Sequence, residues 1–259
     1  MTKEDELADE SASKGGIQVI ARAAAVLHKL REHPAGLSLG ELAKLLKLPR
    51  STIQRIVAAL DDENLVISAS PTRGVRLGPA LLALAAATRF EISEVARPTL
   101  QEISLLSGET VDLSLLDGNK LVFVDQVVGG HRLKAESGIG VSFSLHSTAP
   151  GKAMLAAMSD ADMLALRPRM SFARMTPNTI TTWAGLVDDI AQVRETGIGA
   201  DVEENSMGIC AVAMALSLPS GEIAAISVPV PTQRFKAMRP TIEKLLLAHG
   251  GKLQAAIKR

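Results

Sequence analysis

The chain has 259 residues, 47% of them hydrophobic and 22% charged, which is globular composition and enough length for two domains with cores of their own. Aromatic residues make up only 2%, with one Trp and no Tyr, so cores must be aliphatic and base stacking on aromatic platforms is excluded as the main grip on nucleic acid. The zero net charge hides an asymmetry: residues 1–13 carry one Lys against five acids, residues 14–76 ten Lys/Arg against five acids, and residues 77–259 seventeen against eighteen.

Only the 14–76 segment is basic, as an electrostatic footprint for phosphate requires. The single cysteine, Cys210, has no partner for an internal disulfide, which fits a reducing compartment. No run approaches about 20 consecutive apolar residues, and the N-terminus is acidic rather than signal-like. The expectation is a cytoplasmic protein with no membrane segment.

Residues 1–14 are polar and charged, and a disordered tail is expected there. After Gly15-Gly16 a helix is predicted from Ile17 to Glu32, with Ile20, Ala23, Ala24, Leu27 and Leu30 at helical spacing. His33-Pro34 ends it. Ser38 is placed to cap the next helix, with Glu41 three residues on. That helix runs to Leu46. Lys47 stands in the following turn, where a positive φ is needed and an L-residue costs about 1 kcal/mol. A further helix starts near Pro49 or Arg50 and runs to Asp61.

Leu42, Leu46, Leu48, Ile53 and Ile56 sit where a compact helix pair needs apolar groups, and Ala43 falls at the crossing. The other face of the second helix carries Arg50, Ser51, Thr52, Gln54 and Arg55. This is the layout of a helix-turn-helix whose second helix enters the DNA major groove. Arg pairs bidentately with guanine and Gln with adenine, while Ser51 and Thr52 suit phosphates. A solvated helix face uses the same residue types; the spacing and the basic segment favour DNA. Ser38, at the start of the first of the two helices, joins the candidate DNA contacts. Residues 65–69 and 75–77 then read as a hairpin around Pro71 and Gly74, the "wing" of a winged helix-turn-helix, with Arg73 at its tip. Residues 15–76 form this domain, and the Ala/Leu-rich stretch 77–90 is a linker helix by propensity.

In residues 91–259 a helix is predicted from Ile92 to Leu106, interrupted by Pro98. Thr110 to Leu116 and Lys120 to Val128 are strand-like and join at Asp117-Gly118. Arg132 to Glu136 is a possible third strand. A short helix opens at Ala149-Pro150-Gly151-Lys152, and another runs from Thr181 to Thr196, ended by Gly197. Strands are expected at 199–202, 210–218 and 222–228, the last two joined at Pro219-Ser220-Gly221, before a final helix from Met238 to Ile257. Hairpin-connected strands with flanking helices make the fold class α+β around an antiparallel sheet.

Four stretches in this order carry a family likeness: LGELAKLLKLPRSTIQRIVAAL at 39–60, VRLGPALLAL at 75–84, HSTAPGKAMLA at 146–156 and GIGADVEENSMGICAVA at 197–213. From about Ile17 to its end the chain resembles the isocitrate lyase regulator (IclR) family of bacterial transcription factors. The resemblance implies an N-terminal winged helix-turn-helix, a linker helix, and a C-terminal GAF-like α/β ligand-sensing domain over 91–259. It also implies dimers, or dimers of dimers, on a palindromic double-stranded DNA operator. By the same likeness Ala149, Pro150 and Gly151 form the pocket loop, Asp201 is the pocket acid, and Cys210 and Ser227 complete the effector set. Pro229 stands where a family member has a second pocket serine, which suggests a less polar or differently shaped ligand. The expected effector is a small organic or aromatic acid.

Two sharper chemistries are weaker readings. Asp201, Glu203, Glu204, Cys210 and His146 lack the dense spacing of a metal site, with no CxxC or HxxxH. A Cys210–His146–Asp201 hydrolase is disfavoured because Cys210 lies in the apolar run ICAVAMAL, where a cysteine is usually buried and inert. No cofactor, metal or catalytic residue is assigned. The alternative function is a DNA-binding protein whose C-terminal domain only oligomerises.

Overall fold

The computed structural model describes residues 3–68, 74–87 and 91–258, with side chains described from Gln18 onward and not those of residues 86 and 87. The chain divides into two compact units, residues 1–89 and 90–259.

The first unit comprises α1 (Lys3–Glu32), α2 (Leu39–Leu46), α3 (Arg50–Asp62), β1 (Val66–Ile67), β2 (Arg76–Leu77) and α4 (Ala80–Ala87). Val26 and Leu30 of α1, Leu42 of α2, and Ile53, Ile56, Val57 and Leu60 of α3 close one aliphatic core with Leu37, Val66 and Val75. Each such side chain contributes about 1.5–3 kcal/mol when fully buried. Ala43, predicted at the crossing, and Leu46 and Leu48, predicted as apolar residues of the helix pair, pack against this core. β1 and β2 pair antiparallel, Val66 with Leu77 and Ile67 with Arg76, so a wing stem is present. Gly78 is required there, because a Cβ would come within 2.2 Å of the Asn64 carbonyl oxygen. Leu77 therefore belongs to the wing, and α4 begins three residues later than predicted. α1 is also longer than predicted. The segment expected to be a disordered tail is helical from Lys3, through Gly15-Gly16; its Glu, Ala, Leu and Lys are good helix formers, and each Gly costs only about 1 kcal/mol.

The second unit is built on a six-stranded antiparallel sheet in the order β5-β4-β3-β8-β7-β6. Its elements are α5 (Glu91–Ser107), β3 (Val111–Asp117), β4 (Lys120–Val127), β5 (Ser142–Ser144), α6 (Ala149–Ala157), α7 (Asp160–Leu166), α8 (Trp183–Thr196), β6 (Gly199–Val202), β7 (Ile209–Ser217), β8 (Ile223–Pro231), α9 (Thr232–Leu245) and α10 (Gly251–Ile257). Strand alternation divides the side chains between two cores. Val111, Leu113, Cys210, Val212, Val228 and Val230 pack with α5, α9 and α10. Leu121, Phe123 and Ala225 pack with α6, α7 and α8.

Arg132 to Glu136 forms no strand; the sheet's third strand in chain order is β5, at Ser142–Ser144, after positive-φ glycines at 138 and 140. The β3–β4 turn is Gly118-Asn119, one residue beyond the predicted dipeptide, because Asp117 pairs with Lys120. The last helix starts at Thr232, six residues early, and tolerates Pro240 within it. α7, which was not predicted, is capped by Ser159, whose hydroxyl accepts from the Asp162 amide at 3.1 Å.

Candidate functional site

In the first unit, α2 starts with a reciprocal cap. Ser38 Oγ accepts from the Glu41 amide at 3.2 Å, and Glu41 Oε2 accepts from the Ser38 amide at 2.8 Å. Lys47 closes α2 at φ 53 and ψ 41, the left-handed turn that its position predicts. α3 follows from Pro49, which supplies no side-chain cap. Among the described residues no side chain caps its first-turn amides, which suit an anion. Arg50, Ser51, Gln54 and Arg55 are exposed and Thr52 partly so, opposite the buried Ile53, Ile56, Val57 and Leu60. The first turn holds no acid. Asp61, at the far end, accepts from the Ser68 amide at 3.2 Å. The face is cationic, polar and solvent-facing, with donors long enough to reach base edges or phosphates. Ser38 is exposed at the α2 start, its hydroxyl already engaged as the cap. Arg73 lies outside the described residues.

In the second unit, a cavity of about 60 Å3 opens on the α6 side of the sheet. The α6 N-terminus supplies Thr148, Ala149 and Pro150, and β6 and its following loop supply Asp201 and Asn205. The strands add Asp112, Phe123, Ile209, Ala211, Ser227 and Pro229, and Ser137 and Phe143 close the rim. Antiparallel register brings Asp112 beside Ser227, and Asp201 beside Ala211. Gly151 allows the loop to fold this tightly, since a Cβ would lie 2.4 Å from the Leu145 backbone.

Two carboxylates dominate the cavity. Burial pushes Asp112 up to about 6, against the bonds it accepts from Ser137 and, at 2.7 Å, from Gln126 Nε2. Burial likewise raises Asp201 to about 7, although its Oδ1 accepts from the Glu204 amide at 2.6 Å. Behind Asp201 the wholly buried Lys152 donates to Glu204 Oε1 at 2.7 Å. Asp189 Oδ2 lies 3.0 Å from the same ammonium.

Of the predicted effector residues, Ala149, Pro150, Asp201 and Ser227 line the cavity. Gly151 stands behind it. Cys210 is corrected: it points to the opposite face of the sheet, into the core with Val212 and Val230. There burial pushes its thiol up, and Sγ lies 3.5 Å from Thr232 Oγ1. Its neighbours Ile209 and Ala211 take the cavity face, as strand parity requires. Asp112, Phe123, Ser137, Phe143, Thr148 and Asn205 escaped the sequence reading. The one usable signal was Asp112, an acid near the start of the strand VDLSLLD. His146 is buried too, with Nε2 3.1 Å from the Ala173 carbonyl oxygen. Among the described residues no three His, Cys, Asp or Glu side chains are grouped as a metal site needs. No helix of the described residues is long and apolar enough to cross a membrane.

Residues 19–67 match the IclR helix-turn-helix domain, and residues 84–254 match the C-terminal domain of bacterial IclR transcriptional regulators. The chain is 44% identical to the HTH-type transcriptional regulator Rv1719 of Mycobacterium tuberculosis, over 95% of each chain. It is 36% identical to the HTH-type transcriptional regulator TtgV of Pseudomonas putida, over 97% of this chain and 96% of that one. In fold it is similar to a crystal structure of an IclR homologue from Microbacterium hydrocarbonoxydans complexed with 4-hydroxybenzoate. That likeness has a TM-score of 0.76 at 20% identity and covers 93% of this chain and 99% of the other. These likenesses span both units in one order, so the chain belongs to the IclR family: a transcriptional regulator, not an enzyme, with a DNA-binding helix-turn-helix and a C-terminal ligand-binding domain.

Proposed function

We propose that the protein acts in the cytoplasm as a homodimer, or a dimer of dimers, on a palindromic operator, and that a small organic effector in the second unit's cavity sets its affinity for DNA. The observation that carries the reading is the exposed face of α3, whose Arg50, Ser51, Thr52, Gln54 and Arg55 surround an uncapped helix start. Arg50, Gln54 and Arg55 read base edges; Ser51, Thr52 and the first-turn amides hold phosphates. Ser38, through its backbone or its hydroxyl, and Arg73 on the wing add backbone contacts.

Ala149, Pro150, Asp201 and Ser227 contact the effector. The helix α4, Ala80–Ala87, within the predicted linker 77–90, transmits the change, altering the spacing of two recognition helices. Such a ligand acts only by binding one conformation of the dimer better than the other.

The test is binding of the full chain to promoter fragments next to its own gene across a salt series, with Arg55→Ala beside the wild type. The expected result is salt-sensitive affinity, with Arg55→Ala losing about 1–3 kcal/mol while folding and oligomeric state hold. Unchanged affinity in the variant would remove α3 as the reading helix.

The cavity's small volume favours one second reading, in which the second unit only oligomerises. Under it, filling the cavity by Ala149→Trp leaves the response of DNA binding to every small molecule as it was.

A further inference from the structure

Building on the reading of this cavity as the effector site, we propose that it takes a small uncharged molecule bearing a hydroxyl group, such as a phenol or an alcohol, in preference to the carboxylic acids expected from the sequence. Two independent features point the same way.

The first is charge. Asp112 and Asp201 face the cavity, and among the described residues its lining holds no Lys, Arg or His. The buried cation behind it, Lys152, is engaged by Glu204 and Asp189. Glu136, on the segment beside Asp112, raises that carboxyl further, although Lys134 Nζ lies 3.6 Å from Glu136 Oε1 and offsets part of its charge. At pH 7.5, above the values of about 6 and about 7 to which burial pushes Asp112 and Asp201, both are mostly ionised. A carboxylate entering here would then meet like charge at close range in a poorly screened site, with no lining cation to receive it.

The second is the helix end. A helix N-terminus ordinarily receives an anion through its free amides. At the start of α6, Pro150 has no N–H, and the Gly151 amide donates to Thr148 Oγ1 at 3.3 Å. At most the Ala149 amide remains, which makes a poor anion cradle.

A hydroxyl meets the opposite situation. A carboxylate offers about four lone-pair positions, so Asp201 keeps acceptor capacity beyond its backbone donors. Phe123 and Phe143, edge to face at 5.3 Å between centroids, flank the apolar body. The volume of about 60 Å3, well under the roughly 150 Å3 of a cavity that holds benzene, excludes any body larger than a single ring.

The test is calorimetric titration of the full-length protein at pH 7.5 with benzyl alcohol, phenol, benzylamine and benzoate, which share a ring and differ in the polar group. The expected result is at least tenfold tighter binding of benzyl alcohol or phenol than of benzoate. That preference should narrow in Asp201→Asn, and all binding should disappear in Ala149→Trp. The wild-type ratio decides by itself if either variant folds poorly. Benzoate binding as tightly as the alcohols overturns the proposal, and benzylamine binding tightest replaces it with a cation site. In both cases the cavity remains the effector site. Binding that persists in a folded Ala149→Trp, or saturable binding of none of the four, overturns the proposal and the cavity reading together.

Discussion

Lys152 Nζ lies 2.7 Å from Glu204 Oε1, and the lysine is wholly enclosed. The pair ties α6, whose first turn lines the cavity, to the loop after β6 that carries Asn205. A buried ammonium is tolerated only with such partners. Removing it leaves Glu204 and Asp189 facing each other without their shared cation. Lys152→Met should therefore lower stability by about 3–5 kcal/mol in urea unfolding of the full chain. A loss under about 1 kcal/mol would show that these acids take up protons or water instead.

Asp201 gives stability a pH dependence of known sign. Its carboxyl titrates near 7 in the folded chain against an ordinary 3.8, because burial disfavours the anion. Between those values the folded state keeps a proton that the unfolded chain releases. This contribution to stability therefore falls as pH rises from about 4 to about 7, then levels off. Asp201→Asn removes that fall. Unfolding free energies at pH 5 and pH 8 should drop about 2 kcal/mol more in the wild type than in the variant. Other groups, including His146, are common to both proteins and cancel in the difference. Equal drops would mean that Asp201 is ionised in the folded protein throughout.

Ser38 separates a structural role from a DNA role. Its hydroxyl caps α2, so Ser38→Ala should cost about 1 kcal/mol in thermal unfolding. Ser38→Asp keeps the cap acceptor and adds negative charge. It should hold stability while weakening operator binding if the residue lies beside a phosphate. Unchanged binding by Ser38→Asp would confine Ser38 to capping.

The helix-turn-helix was legible because its determinants are local. The cap at Ser38, the left-handed turn at Lys47, the restart at Pro49 and the apolar period through Ile53 and Ile56 all lie within 22 residues. The cavity was half legible. Ala149, Pro150, Asp201 and Ser227 came from the family likeness, but Asp112 reaches Ser227 only through β3–β8 register across more than a hundred residues. No spacing in the sequence encodes that pairing. Cys210 failed for a related reason: one step along a strand reverses the face, and an apolar run such as ICAVAMAL does not mark which face is which. The last helix was begun six residues too late, at Met238 instead of Thr232, where Pro231 is the N-cap.

Lys47 offers a substitution whose two effects should have opposite signs. At φ 53 an L-residue is strained by about 1–2 kcal/mol, and glycine is not. Glycine also adds freedom to the unfolded chain, which offsets roughly 0.4–1 kcal/mol of the gain. Lys47→Gly should therefore stabilise the protein by about 0.5–1 kcal/mol. The same change removes an exposed cation from the turn that leads into α3. If that turn lies along the DNA backbone, affinity should fall for all sequences alike, and the salt slope should shrink by about one. A more stable protein that binds DNA more weakly is the expected pair of results, read from urea unfolding and from anisotropy across a salt series. A variant weakened in both would mean that the Lys47 side chain supports the turn itself.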